Sequence, residues 1–102
     1  MITVREGEKK DIAVKIERSR GSAAFTLTTP QRRILDASRV LVTGFDWAAA
    51  SWDAATSELF ALFDGTAAGL TAPGDYHMQL RGTIANELYA AEVKVVVVEW
   101  AP

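Results

Sequence analysis

The sequence has no cysteine among its 102 residues, and it has only one histidine. Without cysteine, disulfide bonds and thiolate metal sites are excluded. Small secreted domains commonly depend on disulfides, so this composition fits a protein that is made and assembled in a reducing cytosol. The single histidine, His77, has no carboxylates at a spacing that would complete a metal site. We therefore expect neither a bound metal nor a cofactor.

An excess of positive charge is also lacking, since the formal net charge is −2. This balance argues against a nucleic-acid partner, and the basic pair Arg32-Arg33 is too small for a nucleic-acid footprint. The charges are unevenly divided along the chain. Residues 1–45 hold 9 of the 11 lysines and arginines, and residues 46–102 hold 8 of the 13 acids. Either the fold mixes the two halves in space, or the domain has a basic and an acidic end suited to head-to-tail packing.

Long apolar runs are absent as well. The valine run at residues 95–98 is far shorter than the roughly 20 residues that a transmembrane helix needs. The N-terminal residues lack the basic segment and the following apolar segment that mark a secretion signal. The length suits one core, so we expect residues 1–102 to form a single domain with no membrane partner.

The sequence does contain a two-residue alternation of apolar and polar side chains, which is typical of β-strands. In residues 11–17, the apolar side chains of Ile12 and Val14 point to one side and the charged ones to the other. Residues 75–84 alternate in the same way around Met78. No helical periodicity of comparable length interrupts this pattern, so the sequence predicts an all-β protein.

Other segments are less regular. Pro30 is predicted to end a strand, residues 31–33 to form a loop, and residues 39–45 to form a further strand. Residues 57–64 fit either a strand or a helix, and a strand is favoured because a lone short helix is unusual inside a β-sandwich. With turn signals every 8–12 residues, about seven or eight short strands are expected. The predicted fold is an immunoglobulin-like antiparallel β-sandwich.

The final predicted strand, residues 88–100, is apolar on both sides. Its odd-numbered valines form a row that is predicted to face the core. The apolar residues on the other side are difficult to explain as solvated, so this strand is central, covered by something else, or part of an interface. The candidate interface residues are Val96, Val98 and Trp100.

A turn before the strand at residues 75–84 carries the clearest local signature. Pro73 fixes φ and Gly74 permits a positive φ, so the pair forces a turn. Tyr76 enters the strand directly afterwards, and Leu70 precedes the turn. This pattern is that of a tyrosine corner, in which the phenol bonds back to the backbone of the preceding crossover in immunoglobulin-like sandwiches.

Catalytic motifs are not visible, so no enzyme activity is expected. The serines lie in no nucleophile-elbow setting, and Asp46 and Asp53 are expected to solvate a loop rather than act as a glycosidase pair. Trp47 and Trp52 bracket an alanine run and permit two interpretations. They are either a carbohydrate-binding platform, or one plugs the core while the other lies at its rim.

Four signals follow one another in a characteristic order. An early strand begins near the acid of Lys10-Asp11, and a Leu35-Asp36 turn with a hydroxyl leads into a valine-rich segment. A crossover leucine then meets Gly-x-Tyr at residues 74–76, and a valine-rich strand closes the domain at residues 93–98. This order resembles the immunoglobulin-like domains of bacteriophage tail and baseplate proteins, such as the N-terminal domain of siphophage baseplate upper proteins.

The resemblance implies a non-enzymatic structural protein of a phage or prophage particle, which acts as an assembly module through protein-protein contacts. Its partners would be other virion proteins or further copies of itself, and it would be cytoplasmic during assembly and then part of the virion. The alternative expectation is a small carbohydrate-binding sandwich that uses Trp47 and Trp52. An apolar strip around Val96 and Val98 would supply contact area in the first case.

Overall fold

A computed structural model describes residues 1–16 and 26–99 of the chain. Within these two ranges the secondary structure is all-β, and two sheets pack face to face. The described strands are β1 (Ile2–Arg5), β2 (Lys9–Lys15), β3 (Thr28–Asp36), β4 (Ala48–Ala49), β5 (Ser51–Asp53), β6 (Glu58–Asp64), β7 (Gly74–Ile84) and β8 (Glu87–Val98). The predicted β-sandwich is therefore confirmed.

The strand order matches that of immunoglobulin-like sandwiches. One sheet has five strands in the order β1-β8-β7-β3-β4, and the other has three in the order β2-β6-β5. These correspond to the sheet with the G, F and C strands and to the sheet with the B, E and D strands. The sandwich is not purely antiparallel, because β1 pairs with β8 in parallel, with Ile2 opposite Val95.

Alternation along the strands produces the core, because successive side chains point to opposite faces of a sheet. The ring of Phe63 on β6 meets the ring of Tyr76 on β7 edge-on, with 5.7 Å between centroids, which joins the two sheets near one end. The largest fully buried side chains are Phe63, Ile12, Ile34, Leu59, Leu70, Met78, Leu80, Val4, Val95 and Val97.

Pro30 and residues 31–33 were expected to leave the sheet, and that prediction is wrong. They belong to β3, which continues from Thr28 to Asp36. A register shift between Thr28 and Gln31, with a positive φ of 53° at Thr29, marks a β-bulge at the proline. A bulge tolerates proline because the missing N–H is not needed by the ladder there.

Residues 39–45 do not form the predicted strand. Only Leu41 makes an isolated bridge, to Leu35. Two turns interrupt the segment. Oδ1 of Asp36 accepts hydrogen bonds from the backbone N–H groups of Ser38 and Val40 at 2.9 and 3.0 Å, and the N–H of Phe45 donates to the carbonyl oxygen of Val42 across Gly44, whose φ is 86°. A carboxylate bound in this way competes with the sheet for the backbone. Residues 57–64, in contrast, do contain the favoured strand, β6.

The hairpin of β7 and β8 is the longest pairing in the fold. It runs without interruption from Gly74 opposite Val97 to Ile84 opposite Glu87. Ala85 and Asn86 form the two-residue turn, with φ of 49° and 66°. Positive φ at both positions is the signature of a type I′ turn, whose twist matches that of the flanking strands.

Candidate functional site

The face of the five-stranded sheet that points away from the three-stranded sheet is called the outer face here. Its side chains on β3, β7 and β8 alternate with the core residues of the same strands. The register places Arg33 beside Gln79, which in turn lies beside Glu92, so one polar row crosses three strands. The next row places Gln31 beside Arg81. Polar groups from distant parts of the sequence therefore converge on this face.

The indole of Trp47 lies over the outer face, just before β4. The guanidinium carbon of Arg81 is 3.8 Å from the centroid of the ring, and that of Arg33 is 4.8 Å away. Contacts of this kind between a cation and an aromatic face are attractive, and they are strongest with tryptophan. Trp47, Arg33 and Arg81 are together called the Trp47 cluster.

Two glutamines orient the arginines of the Trp47 cluster. Arg33 donates from Nε to Oε1 of Gln79 at 2.5 Å, and Arg81 donates from Nε to Oε1 of Gln31 at 2.9 Å. No carboxylate within residues 1–16 and 26–99 lies within ion-pair distance of either guanidinium. Two cationic groups are therefore held close to one ring, and no carboxylate in the described part of the chain neutralises them.

A shallow depression of about 380 Å³ lies beside the Trp47 cluster. Gln79 and Glu92 form part of its lining, and Leu88 and Ala90 contribute apolar surface. Leu88, near the start of β8, is 66% exposed. The core-facing residues near the end of the same strand, Val95 and Val97, are fully buried. The outer face thus combines charged, aromatic and aliphatic groups around one concavity.

Glu92 is neutralised by a different arginine. Arg39 donates to both carboxylate oxygens, at 2.6 and 3.2 Å, and Gln79 donates from Nε2 at 3.0 Å. These hydrogen bonds, chiefly those from Arg39, lower the pKa of Glu92 to about 2. Because Arg39 belongs to the basic half of the sequence and Glu92 to the acidic half, the fold brings charges of the two halves together at this point.

His77 lies on the same face, one row further along β7. Its side chain is only 18% exposed, and Nδ1 is 3.7 Å from Oε2 of Glu92. This distance is too long for a hydrogen bond. Among the described residues, no group of three or more histidines, aspartates or glutamates comes together in a way that could hold a metal ion.

The predicted interface residues Val96 and Val98 also lie on the outer face, at the end remote from Leu88. Val96 is half-buried and Val98 is 37% exposed. The register puts Val96 between Thr3 of β1 and Asp75 of β7. These valines form a small, partly open apolar strip, and Trp100, the third predicted member, lies outside the described residues.

Trp47 and Trp52, the predicted carbohydrate platform, are not brought together. Trp52 is on β5 opposite Leu59 and packs against the core, whereas Trp47 lies on the outer face of the other sheet. The aspartates beside them bind backbone N–H groups, Asp46 that of Trp47 at 2.7 Å and Asp53 that of Ala55 at 3.0 Å. Their geometry is that of turn residues.

The tyrosine-corner residues do come together. Oη of Tyr76 donates to the carbonyl oxygen of Ala72 at 2.8 Å, which is the bond back to the crossover that the pattern predicts. Leu70 is fully buried below the turn, and Gly74 has a φ of 142°. Burial, with a smaller contribution from the charge of Asp36, raises the pKa of Tyr76, so the phenol stays a donor.

The arginines and glutamines around Trp47 were not anticipated as a group. Arg33 was expected in a loop, and the alternation along β7 only indicated that Gln79 and Arg81 point away from the core. Comparison of the chain with protein-family models and with curated proteins finds no match. Within the described ranges, no helix is long and apolar enough to cross a membrane.

Proposed function

We propose that this chain is a non-enzymatic assembly module of a phage or prophage particle, in the tail or baseplate, and that it acts through protein-protein contacts made by its outer face. The observation that carries the proposal is the Trp47 cluster, which lies half-buried beside a concavity on a sheet face that no other described strand covers. Tryptophan and arginine dominate the residues that contribute most to protein-protein binding, especially around a central pocket.

The rigidity of the outer face supports this role. Arg33 and Arg81 project from the central strands β3 and β7, and each guanidinium is oriented by a glutamine on the neighbouring strand. Side chains that are ordered before binding lose less conformational entropy when the partner arrives. The face therefore resembles a preorganised contact surface more than a mobile loop region.

The immunoglobulin-like strand order supports the particle context, since the resemblance to phage tail and baseplate domains extends over nearly the whole chain. The partners would be other virion proteins or further copies of this chain. The protein would be cytoplasmic while particles assemble and virion-bound afterwards. A fold of this kind does not by itself define a function, so the particle context requires a direct test.

Fractionation provides that test. Particles are purified on a density gradient from an induced culture of the source organism, and the fractions are probed with an antibody against this chain. We expect the chain in the particle band, with label at a fixed position on the tail in negative-stain micrographs. Recovery of the chain only in particle-free fractions would refute the proposal.

Tagged variants test whether the outer face makes the contact. A copy with Trp47→Ala should be excluded from the particles, whereas a copy with Leu62→Ala should be incorporated. Leu62 is a matched control because it is an exposed apolar residue on the other sheet, where it faces away from the core. Equal incorporation of both copies would assign the contact to another surface.

Solution mass shows whether the partner is a second copy. Light scattering is measured at several protein and salt concentrations for the unmodified chain and for Val96→Lys. Because Val96 lies on the outer face and is only half-buried, the variant should remain folded and should lose any self-association. Unfolding of the variant would instead show that this strand is covered on both sides within the monomer.

A further inference from the structure

We propose that the Trp47 cluster binds a carboxylate group in an acidic segment of a partner protein, through the terminal nitrogens of Arg33 and Arg81. The inference rests on the proposed function, in that it takes the partner to be a protein, and it adds the chemistry of the contact.

Arg33 and Arg81 lie within contact distance of one indole ring, and in the described part of the chain neither forms an ion pair. Glu92 is the carboxylate nearest along the polar row, and it is already bound by Arg39 and Gln79. Two like charges held close together repel each other, and an anion between them would relieve that repulsion.

The hydrogen bonds already present determine which atoms are available. Each arginine uses Nε, which donates to a glutamine oxygen and fixes the plane of the guanidinium. For neither arginine does a hydrogen bond lead from Nη1 or Nη2 to any acceptor in residues 1–16 and 26–99. The two terminal nitrogens of one guanidinium form a planar fork that matches the two oxygens of a carboxylate.

Trp47 strengthens such a contact. The ring lies against both guanidinium groups and shields part of their surface, and charge-assisted hydrogen bonds are stronger where the local dielectric constant is low. Leu88 and Ala90 border the same depression and offer apolar surface to a neighbouring side chain. A segment in which acidic and apolar residues are close in sequence would therefore fit the site.

Nucleic acid fits this surface less well than an acidic protein segment does. Binding to a phosphate backbone requires several cations along a track, whereas the cluster offers two, and the nearby Arg39 is already paired with Glu92. The net charge of −2 also opposes a polyanion. Each arginine offers one pair of terminal nitrogens, so the cluster can bind one or two carboxylates.

The experiment uses the full chain labelled with ¹⁵N and two synthetic peptides. One peptide alternates glutamate and leucine, and the other has glutamine in place of every glutamate. We expect the glutamate peptide to shift the Nε–H signals of Arg33 and Arg81 and the indole N–H signal of Trp47. The glutamine peptide should leave these signals unchanged, because it has no charge to pair with the guanidinium groups.

Charge-matched variants locate the binding. Arg33→Gln and Arg81→Gln should each weaken binding of the glutamate peptide by about tenfold or more, which is the usual effect of losing a hydrogen bond between charged groups. Lys10→Gln and Lys15→Gln remove the same charge from exposed positions on β2 of the other sheet, and they should change the affinity by less than about twofold. Dispersed amide spectra confirm that each variant is folded.

Several results would overturn the inference. They are the absence of shifts with the glutamate peptide, equal binding of the glutamine peptide, and equal losses in the lysine controls. Inorganic phosphate and a thymidine oligonucleotide serve as competing anions, and tighter binding of either would assign the cluster to phosphate instead. Such results would not affect the fractionation experiment, so a chain found in particles without binding the peptide retains the proposed function and loses only this inference.

Discussion

Replacing Tyr76 by phenylalanine tests the tyrosine corner directly, because it removes one hydroxyl and leaves the ring in place. The lost bond is the 2.8 Å contact from Oη to the carbonyl oxygen of Ala72. The edge-on contact with Phe63 and the burial of the ring remain. The change in stability therefore reports the hydrogen bond rather than a cavity.

The magnitude depends on what happens to the acceptor. A buried carbonyl left without a donor would cost about 1–3 kcal/mol, but Ala72 is exposed and water can replace the phenol. We therefore expect a loss of about 1 kcal/mol, close to the net contribution of an ordinary hydrogen bond. For a domain of this size, that corresponds to a fall in Tm of about 4–8 °C.

Thermal and urea unfolding of Tyr76→Phe are compared with those of Tyr89→Phe. Tyr89 is a matched control because its hydroxyl bonds to Glu87 at 3.2 Å on the exposed part of β8. Removing that hydroxyl should lower Tm only slightly. An unchanged Tm for Tyr76→Phe, or equal losses in the two variants, would refute the corner assignment.

The loss of folding stability at alkaline pH gives a second test of the role of Tyr76. The pKa of Tyr76 is raised in the folded state, so the folded chain holds this proton more tightly than the unfolded chain does. The associated stability is fully present below about pH 10, the ordinary tyrosine pKa, and is lost as pH rises through the folded value. Tyr76→Phe should therefore lose stability less steeply above about pH 10.

Three further predictions concern other parts of the fold. A Cβ at Gly82 would lie 2.2 Å from a methyl carbon of Leu27, so Gly82→Ala should lower the free energy of unfolding by about 1–3 kcal/mol. In urea unfolding, the double variant with Leu27→Ala should lose less stability than the sum of the losses in the two single variants. Hydrogen bonds, chiefly from Arg39, lower the pKa of Glu92 in the folded state. The folding stability that this carboxylate contributes is therefore present above about pH 4.5 and is lost as pH falls towards 2. Because the side chains of the pair are 53% and 36% exposed, Glu92→Gln should cost only about 0.5–1 kcal/mol at neutral pH, and the cost should be smaller at pH 2, where the carboxylate is partly protonated. Equal losses at both pH values would contradict the assignment. Ala85 has a φ of 49°, a conformation that asparagine adopts more easily than alanine. Ala85→Asn should therefore raise the free energy of unfolding by about 0.5–1 kcal/mol and raise Tm, and a lower Tm would argue against the type I′ turn.

Local sequence patterns were sufficient to predict much of the fold. The alternation in β2 and β7 and the turn before Tyr76 depend on neighbouring residues, and each is present in the structure. Pro30 was misinterpreted because a bulge moves its missing N–H out of the ladder, and a bulge has no reliable single-sequence signature. The segment at residues 39–45 was misinterpreted because the carboxylate of Asp36 binds the N–H of Val40 and a second turn at Gly44 bends the backbone.

The candidate site was less predictable than the fold. Trp47 was singled out, but its partners depend on the register between β3 and β7, which sets Arg33 opposite Gln79 although the two are 46 residues apart. A single sequence contains no direct record of such a register. Trp52 was paired with Trp47 because they are close in sequence, yet Trp52 lies on β5 of the three-stranded sheet and Trp47 directly precedes β4 of the other sheet.

The parallel pairing of β1 with β8 has a mechanical consequence. Both strands run in the same direction, with Ile2 beside Val95 and Arg5 beside Val98. A force that pulls residue 2 away from residue 98 slides one strand along the other, so the hydrogen bonds between them are loaded together rather than broken one by one. A domain joined in this way is stiff under tension along the chain, and a single-molecule pulling experiment would register the rupture of β1 from β8 as the first force peak.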